Sequence, residues 1–394
     1  MLPLENIKIL DLSRLAAGNM VSHMFADFGA DVVKVEKPGK GDDLRNWKIN
    51  GISHWWAVYS RNKRSISIDL KKDEGLALLK ELVKSADVFI ENFVPGTLEK
   101  WGIGPEQLAE LNKNLIILRI SGWGQTGIFK NAPGFGSLVE GMSGFAAMTG
   151  EEKQSPLLPP LALADMVAGL TGFGAILMAI LTSKKDNTGG QVIDLSLFEP
   201  FFSILGPWAA SYKISGKVPE RIGNRSNVAA PRGIYKTKDN KYVSLSASMQ
   251  SMWEKLALTI GSSDLIKDPR FLTNSDRLNN QDDLDKPISK FIKKYSREEV
   301  LNIFSKEGIT VGPVLDISEI IEHPYIQDRE VLIDHYNKEY GNVLMHQAFP
   351  RLSKTPGKIR HSAPSLGGDT DLVLKEIGIS EKQIQMLRKN KIIN

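Results

Sequence analysis

Short apolar runs alternate with amphipathic stretches through the first half of the chain. Ile7-Lys-Ile-Leu-Asp-Leu12 suits a buried strand, and residues 14–28 then carry apolar side chains at helical spacing as far as Gly29, a usual helix terminator. Asp31-Val-Val-Lys-Val-Glu36 reads as a second strand, so residues 7–36 form a βαβ unit with a parallel pair. The pattern continues with a strand at 65–70, a helix at 73–85, a strand at 87–91, a short helix at 105–111 and a strand at 115–120. Helical patterns at 135–148 and 165–184 precede a further strand at 191–196. This alternation predicts a large Rossmann-like, doubly wound α/β domain with a parallel sheet, whose ligands enter over the loops after the strand ends.

After about residue 215 the texture changes. Residues 223–232 read as an extended loop and 235–245 as a hairpin turning at Asp239-Asn240. Charged amphipathic helices are expected at 250–260, 284–295 and 297–306. The pattern therefore divides into a large domain over 1–215, a small α+β domain over 216–328, and a tail over 329–394 that returns to the large domain. The tail ends in a helical pattern at 381–389.

Composition narrows the chemistry. The net charge is only +4, from 50 Lys and Arg against 46 Asp and Glu, and the basic residues are scattered. That argues against a nucleic-acid partner. Without cysteine, disulfides, thiolate metal sites and cysteine nucleophiles are excluded. The six histidines have no metal-ligand spacing, so no metal site is expected. No Gly-x-Ser-x-Gly elbow or Walker loop occurs, and the first turn, Ser13–Asn19, has one glycine where a dinucleotide site needs several. The N-terminus lacks a signal-peptide pattern, and the uncharged run 166–183 reads as a buried core helix, so a cytoplasmic protein without a membrane partner is expected.

One charged residue interrupts the apolar stretch Leu157–Gly169: Asp165, between a proline-containing run and that helix. A carboxylate there is a helix cap or a ligand-facing group. Six basic residues near the predicted strand ends, Lys37, Arg45, Arg61, Lys63, Arg64 and Lys71, suit either solvated surface or phosphate contacts.

Several motifs in register carry a resemblance. Leu10-Asp-Leu-Ser-Arg-Leu-Ala-Ala-Gly18, the run Asp27–Asp42, Asn62–Lys71, Glu91–Lys100, Ser121–Gly127, Pro133–Gly144, Ala164–Gly169 and Ala363–Asp369 together resemble the class III CoA-transferases of the CaiB/BaiF type, relatives of formyl-CoA and L-carnitine CoA-transferases. The resemblance implies an enzyme that moves coenzyme A from an acyl-CoA donor to a carboxylic acid through Asp165. An aspartyl anhydride and an aspartyl-CoA thioester would be the intermediates, and Glu140 a supporting catalytic residue. It places Ala16, Ala17, Lys37, Lys71, Asn92, Phe93, Lys100 and Phe135 at CoA-contact positions. CoA is then a substrate with no permanently bound cofactor, a small organic acid is the other partner, and an interlocked homodimer is expected. The alternatives are an acyl-CoA racemase or isomerase and a non-catalytic CoA-thioester-binding protein. The segment Gly134-Phe-Gly136 lacks the histidine that racemases of this type carry there. Arg225 and Arg232 are candidates for a second substrate carboxylate.

Overall fold

Six strands form one parallel sheet in the computed structural model, which describes residues 1–186 and 188–394. They are β1 (Lys8–Asp11), β2 (Asp31–Glu36), β3 (Arg64–Ser67), β4 (Val88–Glu91), β5 (Ile116–Ser121) and β6 (Val192–Ser196), ordered β3-β2-β1-β4-β5-β6. Leu10 of β1 pairs with Val33 of β2 on one side and with Phe89 of β4 on the other. The strand order therefore reverses between β1 and β4, and the loops leaving these strands diverge into a crevice there. Every residue of β4 is buried, as a strand covered on both faces requires.

Helices cover both faces. Leu15–Asp27 and Leu163–Asp186 pack on one face, where Val21, Phe25, Ala168 and Ile176 meet Ile90 and Leu118. On the other, Leu78, Leu79 and Leu82 of helix Asp73–Val83 pack with Phe89 and with Val373, Leu374 and Ile384 from the end of the chain. The doubly wound architecture is thus the one its sequence period predicts. The helical run at 135–148 is split: Gly144 takes φ 94°, leaving Gly136–Met142 and a single turn at Phe145–Met148.

The chain falls into two compact units. The first holds Met1–Phe145, Leu158–Pro207 and Glu330–Asn394; the second holds Ala146–Leu157 and Trp208–Arg329. The second unit therefore takes in two segments, 146–157 and 208–215, that the sequence pattern leaves with the large domain. Its hairpin is β7 (Arg232–Lys236) and β8 (Tyr242–Ser246), with Asn240 at φ 60° in the turn. A third strand, β9 (Val311–Pro313), pairs with β8. Around this sheet the three charged helices bury Trp253, Leu284, Ile288, Val300 and Phe304.

The tail belongs to the first unit. It adds a hairpin of β10 (Leu332–Asn337) and β11 (Gly341–His346), which its short apolar runs do not announce. Asp369 accepts from the Ser65 amide at 2.8 Å and Thr370 Oγ1 from the Ser67 amide at 3.0 Å, so the tail satisfies the free edge of β3.

Helix Leu163–Asp186 is long and apolar enough to cross a membrane by length and composition alone, and a third of its most apolar window is buried. It is a core helix on one face only. Ala164, Ala168, Gly172, Ile176 and Ala179 face inward, whereas Leu170, Met178 and Leu181 are exposed.

Candidate active site

The helix that carries Asp165 starts at Leu163, two residues before its predicted start and soon after Pro159 and Pro160. Asp165 therefore sits inside the first turn and is not the N-cap. That role passes to Glu140, a buried residue of helix Gly136–Met142, whose Oε1 accepts the Ala164 amide at 3.1 Å. The amides of Asp165 itself and of Ala17, in the first turn of helix Leu15–Asp27, favour the ionised form of the Asp165 carboxylate. Burial, with the negative charge of Glu140 second, pushes Asp165 up to about 6. It is still an anion at neutral pH, but a poorly solvated one. Gly136 makes room for it: a Cβ at that position would overlap Asp165 Oδ2.

The turn that presents Ala17 is held by buried charge. Leu15 adopts φ 62°, a left-handed conformation unfavourable for a leucine, and its amide donates to Asp42 Oδ1 at 2.9 Å. Asp42 Oδ2 takes Asn19 Nδ2 at 2.7 Å and Lys34 Nζ at 3.0 Å, and Lys34 also reaches Asp11 at 3.2 Å. Lys63 lies behind, donating to Asn19 Oδ1 at 2.9 Å; burial pushes it down to about 7. Sequence reading missed this cluster, although Asp11 and Lys34 inside otherwise apolar strands were its signal.

Where β1 and β4 diverge, Asn92 binds Arg14 twice. Its Oδ1 accepts the Arg14 amide at 2.8 Å and its Nδ2 donates to the Arg14 carbonyl at 2.7 Å. Two clefts open there. One, of about 450 Å³, is lined by Asp165, Ala17, Asn92, Phe93, Trp123 and Phe135, among others. The second, of about 380 Å³, is bordered by Lys37, Lys40, Lys71 and Trp101. Arg14, Phe93 and Val94 line both.

Of the expected site residues, Asp165, Ala17, Asn92, Phe93 and Phe135 thus share one cleft, and Lys37 and Lys71 the adjoining one. Ala16 is buried and Lys100 is exposed; neither lines a cleft. Four of the six candidate phosphate partners are taken up structurally. Arg45 pairs with Glu36 at 2.7 Å, Arg61 with Asp27 at 2.6 Å and Arg64 with Asp31 at 2.6 Å, and Lys63 is buried. In the second unit, Arg225 is held by Asp282 at 2.7 Å and Asp285 at 2.8 Å, so its charge is already balanced; Arg232 is exposed on β7.

The model of CoA-transferase family III matches residues 4–370. The chain belongs to that family. This class III CoA-transferase is 35% identical to the succinyl-CoA–D-citramalate CoA-transferase of Chloroflexus aurantiacus, over 99% of this chain and 98% of that one. It is 34% identical to the succinate–glutarate CoA-transferase of Agrobacterium fabrum, over 96% and 97% of the two chains. Among solved structures, a CaiB/BaiF family protein from Brucella suis superimposes with a TM-score of 0.84 at 32% identity, over 95% of this chain and 99% of that one. This transferase is therefore an enzyme that transfers CoA between acids, and its clefts can be read against that chemistry.

Proposed function

We propose that this enzyme moves CoA from a dicarboxylic acyl-CoA such as succinyl-CoA to a second carboxylic acid, with Asp165 as the nucleophile. A carboxylate oxygen of Asp165 attacks the thioester carbonyl; the C–O bond forms, the C–S bond breaks, and CoA leaves as the thiolate. The thiolate attacks Cγ of Asp165, expelling the donor acid as a carboxylate and leaving an aspartyl-CoA thioester. The acceptor carboxylate then attacks that thioester, and the returning thiolate attacks the acyl carbon, which restores Asp165. Splitting the exchange in this way keeps the thioester's energy in covalent form.

The observation that carries this reading is the environment of Asp165: a half-buried carboxylate near the Ala17 amide at the wall of a cleft, ionised at neutral pH. In this reading the same amide donates to the oxygen that becomes negative when the Asp165 carbonyl is attacked. Lys37 and Lys71 suit the phosphates of CoA in the second cleft, where Lys40 is paired with Asp43 at 2.7 Å, and Arg14 and Phe93 mark the passage between the two. No histidine lines the Asp165 cleft among the described residues, which disfavours a two-base racemase.

The homodimer belongs to the same proposal. Leu170, Met178 and Leu181 recur at helical spacing on the outer face of helix Leu163–Asp186, with Gly174 open among them. A small residue at the centre of an apolar face lets a second backbone approach closely.

The test is chemical trapping. Incubation with succinyl-CoA and hydroxylamine is expected to convert Asp165 to its hydroxamate, located by peptide mass spectrometry. Label on another residue, or full turnover by Asp165→Ala, would sink the mechanism.

A further inference from the structure

The cleft around Asp165 offers an anionic ligand no net positive charge. Its charged lining, among the described residues, is Arg14, Asp43, Lys130 and Asp165, with Glu140 buried behind. A dicarboxylate entering it brings a distal negative charge close to two carboxylates already there, a repulsion that needs a cation facing the ligand. Arg14 stands at the passage between the two clefts, over the Phe93 ring at 5.6 Å and 3.6 Å from Asp43, which Lys40 also holds at 2.7 Å. Lys130 has no side-chain partner among the described residues.

The loop that carries Lys130 is built to hold a position. Its ends meet where Gly122 and Gly134 pack backbone against backbone, too close for a Cβ on either. Trp123 Nε1 donates to the Pro133 carbonyl at 3.0 Å, closing the base of the loop. The Gln125 amide donates to both carboxylate oxygens of Asp194 at 3.0 Å, which ties the loop to β6. Trp123 also touches the Phe129 ring, 5.8 Å between centroids, and the Ala132 amide donates to the Phe129 carbonyl at 2.8 Å across Lys130 itself. The backbone of Lys130 is thus held at the rim of a partly apolar cleft by tethers on both sides, and its side chain is exposed.

We infer that Lys130 is the specificity-determining residue that pairs with the distal carboxylate of dicarboxylic acyl groups and acceptors. The inference rests on the CoA-transfer reading. It replaces Arg225, whose charge two aspartates already balance. The lysine takes no part in bond making; it selects acids by their second carboxylate.

In a double-displacement scheme kcat/KM for the acceptor reports the second half-reaction alone, so acceptors can be compared with one donor. With succinyl-CoA as donor, Lys130→Met is expected to lower kcat/KM for glutarate and adipate about tenfold, the effect of one charge-assisted contact. Butyrate and pentanoate should be unaffected, and Lys130→Arg should restore most of the loss. Equal losses for both acid classes, no loss for the dicarboxylates, or an unaltered enzyme that prefers monocarboxylates would each overturn the inference. Failure of the underlying reading is distinguishable: the unaltered enzyme would exchange labelled CoA with no acid at all.

Discussion

At the scale of single residues, the site depends on the space beside Asp165 as much as on its charge. A Cβ at residue 136 would lie 2.4 Å from Asp165 Oδ2, too close for both to keep their places. Gly136→Ala is therefore expected to cut kcat by at least about a hundredfold through misplacement of the nucleophile, while leaving the fold intact. Steady-state rates and a circular dichroism melt of the variant check this. Asp165 also sets the acid side of the pH profile. Its ionised form is the nucleophile, so kcat/KM for the donor should rise with pH and level off above about pH 6, where the raised carboxylate titrates. Glu140→Gln removes the negative neighbour but keeps an oxygen to accept the Ala164 amide. With less repulsion opposing ionisation, the acid limb should move to lower pH. A limb unmoved between the two enzymes would mean that Glu140 acts through shape alone.

At the scale of elements, two helix starts meet beside Asp165, and side chains from elsewhere in the chain satisfy both. Helix Leu163–Asp186 has an acidic first turn, and its Ala164 amide is satisfied by Glu140 from another helix. Arg14 at the N-terminus of helix Leu15–Asp27 makes no side-chain cap; Asp42 accepts the Leu15 amide instead, and the second turn is braced by Asn19 against Asp42 and Lys63. The two helices can approach because Gly169 faces Met20 and the Ala17 carbonyl, where a Cβ would lie 2.6 Å from Met20 Cβ and 2.9 Å from that oxygen. Sequence periodicity located both helices to within a few residues. It could not show that Glu140 caps Leu163–Asp186, because the two residues that make the cap are far apart in the chain. The same limit hid the Asp11–Lys34–Asp42 cluster, which exists only once β1, β2 and the following loop are side by side.

At the scale of the whole molecule, the helix that carries the nucleophile leaves an apolar face uncovered. Met178 is 65% exposed and Leu181 67%, on the side opposite the core. Under the homodimer proposal this face meets a second copy, so Leu181→Asp is expected to shift the enzyme from dimer to monomer in sedimentation velocity. A dimer that survives the substitution would place the interface elsewhere.

The sequence by itself determined the doubly wound first unit and the hairpin of the second, since apolar periods of 2 and 3.6 residues are local properties of the chain. It also determined the family, and with it the choice of Asp165, through motifs that are contiguous in the chain. The tertiary structure alone decided which charges are free to meet a ligand. Arg45, Arg61, Lys63 and Arg64 resemble Lys37 and Lys71 in the sequence, yet the first four are taken up by buried or partly buried partners from distant strands and helices. A charge is available only if folding brings it no counter-ion and no burial, and both depend on contacts between residues far apart in the chain. For the same reason Asp165 changed from a helix cap to a half-buried carboxylate facing a cleft: the cap of its helix came from Glu140, the amide beside it from Ala17 and its space from Gly136.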